Sequence, residues 1–97
     1  MKTKLNAVAT EVMEKLGVPL PTNFDPDHNP DHLLEAMGAV NINVFFVDRN
    51  AFAIPGEDLG GDAFEASAPI ESGPNAKSTA MKLAIYRVLE RVNSSLD

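Results

Sequence analysis

The apolar residues of this chain change their spacing twice, and that pattern restricts the possible folds more than any other feature. Over residues 3–16 they fall at Leu5, Val8, Ala9, Val12, Met13 and Leu16, with Glu11, Glu14 and Lys15 between them. This three-and-four spacing predicts an amphipathic helix. From Val40 the period becomes two, with Ile42, Val44 and Phe46 on one side and Phe45 and Val47 on the other. A strand apolar on both sides is expected to be covered on both faces. After Ser72 the helical spacing returns through Ala80, Met81, Ala84, Ile85, Val88 and Val92. Helices therefore flank a block of strands.

Punctuation residues set the boundaries. Gly17 stands where a left-handed residue closes the first helix, and Pro19 and Pro21 forbid its continuation. Residues 18–29 read as an irregular connector. Asn29-Pro30-Asp31 supplies a cap acceptor, a first-turn proline and an acid facing the positive end of the dipole. The short second helix should turn Leu33, Leu34 and Met37 inward and stop at Gly38. Asp48-Arg49-Asn50 predicts a hairpin turn returning through Ala51–Ile54, which Pro55-Gly56 ends. Glu57–Asp62, with Gly60-Gly61, reads as a mobile loop, and Phe64, Ala66, Ala68 and Ile70 as a third strand. The last helix spans roughly 75–93, with Ser72 or Asn75 as its cap; Ala80 and Ala84 would let it lie close to the sheet. The predicted fold is a single α/β domain over 1–97. Its order is α-α-β-β-β-α, a layered sandwich with helices packed on a three-stranded, mainly antiparallel sheet.

Charge narrows the partners. The chain of 97 residues carries a net charge of −6, and between Phe24 and Ser72 ten acids face one base, Arg49. From Gly73 onward Lys77, Lys82, Arg87 and Arg91 outnumber Glu90 and Asp97. Such a balance disfavours duplex nucleic acid, where phosphate neutralisation dominates affinity. The chain has no cysteine, which removes disulfides and thiolate chemistry. Met1-Lys2-Thr3-Lys4-Leu5 lacks a secretory apolar run, and no stretch approaches the roughly 18 apolar residues of a membrane span. A cytoplasmic protein with no membrane partner is expected.

Three constellations bear on chemistry. Asp25-Pro26-Asp27-His28-Asn29-Pro30-Asp31-His32 has the residue types of a zinc site. Pro30 falls between His28 and His32, so the two cannot share a helix face, and a rigid connector ending in a cap is the simpler reading; no metal and no cofactor is expected. Gly73-Pro74-Asn75-Ala76-Lys77-Ser78-Thr79 opens a helix with free backbone N–H groups, a permissive glycine and a lysine. These features suit a phosphate. The segment lacks the glycine that precedes the lysine in nucleotide-binding loops, and Glu71 occupies the leading glycine's place. Candidate phosphate ligands are Gly73, Asn75, Lys77, Ser78 and Thr79, with Arg87 and Arg91 contributing across an oligomer interface. The third constellation, Glu57, Asp58 and Asp62, could imitate nucleic-acid phosphates and occupy a basic protein groove, or simply keep the surface wet. No serine or carboxylate has a histidine partner on a structured element, so no enzyme is expected. A double-stranded-RNA-binding domain also ends in a glycine-preceded basic helix. Here the extra second helix, the single lysine and the acidic strands depart from it.

The layout resembles the phage and prophage α/β/α (ABA) sandwich domains. The likeness lies in Leu5–Met13, the polar start at Asn29–Asp31, and Phe64-Glu65-Ala66-Ser67-Ala68 followed by a Gly/Pro break and Ala80–Leu89. The tryptophans frequent in that family are absent here. The resemblance implies a small non-enzymatic accessory protein of an infected or lysogenic bacterial host, acting in counter-defence or host takeover. Sequestering a phosphate-bearing molecule, such as a nucleotide immune signal, is the first expectation. The alternatives are an anti-CRISPR-like acidic inhibitor of a host protein and a structural or assembly accessory. A homo-oligomer is expected, because three strands leave sheet edges to cover.

Overall fold

A computed structural model describes residues 3–97; Met1 and Lys2 of the opening run lie outside the described residues. The elements follow the predicted order. Helix α1 covers Lys4–Lys15 and α2 Pro30–Val40; strands β1 Asn43–Val47, β2 Asn50–Ile54 and β3 Ala66–Pro69 come next, and α3 spans Ala76–Ser95. The sheet is antiparallel throughout, in the order β1-β2-β3. No described helix is long and apolar enough to cross a membrane.

Both short helices close by the same device. Gly17, at φ +72°, follows α1, and its N–H reaches the Glu14 carbonyl while Val18 N–H reaches Met13 at 2.9 Å. This pairing satisfies carbonyls that would otherwise be orphaned at a helix end. At the end of α2 Asn41 does the same work at φ +56°, with Ile42 N–H on the Met37 carbonyl at 2.9 Å. The expected stop at Gly38 is therefore corrected: Gly38 sits inside the helix, because asparagine also tolerates the left-handed region. Leu34, expected to face inward, is 63% exposed.

The core forms where α3 crosses β2 and β3. Ala51 pairs with Ala68 and Ala53 with Ala66, so one face of these strands is a patch of four alanines, all buried. Ala80 and Ala84 of α3 belong to the same buried cluster, as expected from the sequence. Larger groups fill the far side of α3, where it meets α1: Met13, Val12, Ile85, Leu89, Val88 and Val92 are fully buried.

The opposite face of the sheet differs from expectation. Phe45 and Val47 are 41% and 47% exposed, and no described helix lies over them. Phe45 stacks on Phe52 of β2, with ring centroids 5.2 Å apart and planes 7° from parallel. The double apolar pattern of β1 thus belongs to an edge strand, since α3 lies across β2 and β3 and leaves β1 beyond its reach.

Residues 57–64, read from the sequence as a loop leading into a strand, have a regular local conformation. They form two 3₁₀ turns, Glu57–Leu59 and Gly61–Phe64, joined at Gly60. Gly60 has φ +118°, and a Cβ there would fall 2.1 Å from the Phe64 ring. Phe64 is consequently drawn out of the expected strand to pack on that glycine.

Filling the alanine contact should be costly. Ala84→Leu is expected to lower stability by about 1–3 kcal/mol through overpacking. Leu34→Ala, on the exposed side of α2, should stay within about 0.5 kcal/mol. Urea unfolding of the two variants checks the difference.

Candidate functional site

The start of α3 is the first place to look for a ligand. Asn75 occupies the cap position at φ +63°, its side chain makes no cap hydrogen bond, and the first turn holds no acid. The amides of that turn are thus left without side-chain acceptors. Beside them lies a cleft of about 240 Å³ lined by Pro69, Glu71, Ser72, Pro74, Ala76, Thr79, Ala80 and Leu83. Thr79 is the one predicted phosphate ligand in that lining. Helical geometry separates its neighbours by about 100° each. Ser78 accordingly faces a different hollow, with Pro26, His28 and Lys82, while Lys77 is exposed. Gly73, at φ +121°, and Asn75 are exposed on the approach to the helix.

Arg87 and Arg91 are engaged elsewhere. Arg87 donates to the Ser67 carbonyl at 2.6 Å, and Arg91, one turn later, to the Glu65 carbonyl. Both guanidinium groups thereby run along the outer edge of β3. The sequence places them on the wet side of α3 but gives no sign of which backbone they meet.

The acidic residues stay together. Glu57, Asp58 and Asp62 are all exposed on the two 3₁₀ turns held by Gly60 and Phe64. No described group of three or more His, Asp or Glu side chains is arranged to hold a metal ion.

The histidine connector instead closes around Asn6, a residue the sequence reading passed over. Its Nδ2 donates to the Asp25 carboxylate at 2.6 Å, and its Oδ1 accepts from Asp27 N–H at 2.9 Å. His28 brings its backbone N–H and ring Nδ1 to the same Asp25 carboxylate, each at 3.2 Å. His32 Nδ1 accepts the Asp25 N–H at 2.9 Å, and its ring lies against Phe24. Lys82 of α3 reaches the Asp27 carbonyl from the other side. The signal for this knot was present: Asn6 precedes Ala9 and Met13 by three and seven residues, so a polar side chain sits on the buried stripe. Asn6 is 7% exposed.

A second polar seam joins α1 to α3. Asn93 Nδ2 donates to Glu11 at 2.8 Å, and Lys15 reaches both the Asn93 carbonyl and Asp97. Glu90 beside Tyr86 pushes the phenol's pKa upward, and burial acts in the same direction. These contacts tie α1 to α3.

No family model, curated protein or solved structure matches this chain. The likeness to phage sandwich domains rests on the sequence pattern alone.

The knot yields a test. Asn6→Ala leaves the Asp27 N–H without its acceptor, and a loss of about 1–3 kcal/mol is expected in denaturant unfolding. The Asn6 hydrogen bond holds the Asp25 carboxyl below the ordinary carboxylate value; burial opposes it, and His28 adds to the lowering. A depressed native pKa means the unfolded chain takes up the proton first on acidification. The Asp25 contribution is thus fully present above the unfolded value near 3.8 and disappears as pH falls through the lower native value. Thermal melts of Asp25→Asn between neutral and strongly acid pH should show a shallower acid limb than the parent protein.

Proposed function

We propose that the protein is a small non-enzymatic binding protein that sequesters a phosphate-bearing small molecule, in the counter-defence or host-takeover setting implied by its likeness to phage domains. The observation that carries this reading is the uncapped start of α3 opening beside the cleft of about 240 Å³. Phosphate oxygens would accept from the first-turn amides, which the helix dipole makes favourable. Lys77 would add charge at the rim, and Thr79 and Ser72 would offer hydroxyls. Pro69, Pro74 and Leu83 give the cleft apolar walls for a base or ring. Glu71 in the same wall disfavours a bare anion and suits a ligand whose other end carries hydrogen-bond donors, as an exocyclic amine does. Arg87 and Arg91, hydrogen-bonded along β3, take a supporting rather than a ligating place in this reading.

A second reading has its own observation. Glu57, Asp58 and Asp62 project from two turns that Gly60 and Phe64 lock together, so the charges are displayed at little entropic cost. That suits an acidic inhibitor docking on a basic host protein.

Native mass spectrometry and calorimetry with inorganic phosphate and with linear and cyclic nucleotides separate the two. Stoichiometric nucleotide binding is expected, weakened about tenfold by Lys77→Ala, the size of one charge-assisted hydrogen bond. It should be indifferent to Asp58→Lys combined with Asp62→Lys. No binding of any nucleotide would sink the first reading. Salt-sensitive capture of a basic protein, abolished by the double lysine variant, would establish the second.

A further inference from the structure

The two edges of the sheet are built differently. Along β3 the outward-facing backbone is obstructed: Arg87 and Arg91 occupy the Ser67 and Glu65 carbonyls, and Pro69 has no N–H to offer, which leaves the Ser67 N–H between two blocked positions. Along β1 nothing comparable exists among the described residues. Val47 and Asn50 flank a two-residue turn, Asp48-Arg49, in which both residues have positive φ. In such a hairpin the flanking pair is hydrogen-bonded, so Asn43, Phe45 and Val47 direct their N–H and C=O groups to β2. The Ile70 N–H bond to the Arg49 carbonyl fits this alternation, since it sets the odd residues of β2 toward β3. Val44 and Phe46 therefore direct both backbone groups away from the sheet. The strand bearing them is uncharged, and Phe46 on one face and Phe45 and Val47 on the other are all exposed.

We infer that β1 pairs antiparallel with β1 of a second copy about a two-fold axis, joining two sheets into one of six strands. The backbone specifies the register. Only Val44 and Phe46 have outward groups, and both are used when Val44 of each copy opposes Phe46 of the other, making four interchain hydrogen bonds. That register sets Phe45 opposite Phe45 of the second copy as a non-hydrogen-bonded pair, the closer of the two kinds. With Phe52 already stacked on Phe45 in each copy, the four rings form a continuous ladder across the open face. Charge agrees with the same register. The turn carrying Arg49 comes level with Asn41 of the second copy, the residue that ends α2. Helix α2 has no base in its last turn, and Arg49 is the sole base between Phe24 and Ser72. Each copy thus brings a cation to the negative end of the other's helix dipole. A second copy fits this edge better than a foreign strand does, because backbone, rings and charge are all self-complementary about one axis.

The chain has no cysteine, so introduced thiols report on the register directly. Opposed Cα atoms in a non-hydrogen-bonded pair lie about 4.5 Å apart, within disulfide reach. Phe45→Cys should form a covalent dimer under mild oxidation, whereas Ser67→Cys, on the blocked edge, should not. Light scattering after gel filtration should give a parent species of about twice 10.4 kDa at high micromolar concentration. Val44→Pro should be monomeric with an unchanged circular-dichroism spectrum, since it removes an N–H the monomer does not use. Arg49→Glu should raise the dimer dissociation constant about fivefold. A monomeric parent protein overturns the proposal. So does a folded Val44→Pro that stays dimeric, or a Phe45→Cys protein that cross-links no faster than Ser67→Cys. If Val44→Pro fails to fold, the relative cross-linking rates of the two cysteine variants decide.

Discussion

The close seating of α3 on the paired alanines of β2 and β3 governs the remaining structure. Ala51, Ala53, Ala66 and Ala68 give that part of the sheet almost no relief, and Ala80 and Ala84 meet them with equally small side chains. Backbones can approach closely, but little hydrophobic area is gained per residue. The bulk needed for stability has been moved to the other side of α3, where Met13, Val12, Ile85 and Leu89 fill the seam with α1. Because α3 sits over β2 and β3, its long side chains come within reach of the β3 edge, and Arg87 and Arg91 obstruct that edge. The same placement leaves β1 without a helix above it. The alanine contact, the guarded edge and the open edge share one geometric cause.

Local signals were read most reliably. Asn29-Pro30-Asp31 starts α2 as expected, with the Asn29 side chain accepting from Asp31 and His32, and Gly17 closes α1. Each depends on chemistry within a few residues of chain. The departures arise where a distant contact decides between local options. Gly38 was available as a helix end, but the chain ran on until Asn41 could close it with Ile42 entering the core. Phe64 alternates correctly for a strand, yet packing on Gly60 bends it into a turn. An apolar strand reads the same whether its faces meet helices or remain bare, so the open face of β1 had no signature of its own.

The candidate site was legible to the same degree. The sequence offered both free amides and an Asn75 cap at the start of α3; Asn75 takes the cap position at φ +63° without a side-chain hydrogen bond, and Lys77 is exposed there. That Ser78 and Thr79 face different hollows follows from helical rotation and needed only the helix start. The engagement of Arg87 and Arg91 with β3 could not be read, since it depends on how the helix is set across the sheet. Asn6 lies between these cases. A polar residue on a buried stripe announces that it has partners, but Asp25 and Asp27 become those partners only through the fold of the connector.

The seam between α1 and α3 bears on how the chain comes off the ribosome. Glu11 and Asn93 are 82 residues apart, and α1 finds its principal packing surface on α3. The alanine face of the sheet waits for the same helix. Until α3 has been synthesised, the nascent chain has no layer against which either α1 or the strands can be buried. Acquisition of the native core therefore waits for α3, and the apolar strand β1 stays exposed until that helix arrives.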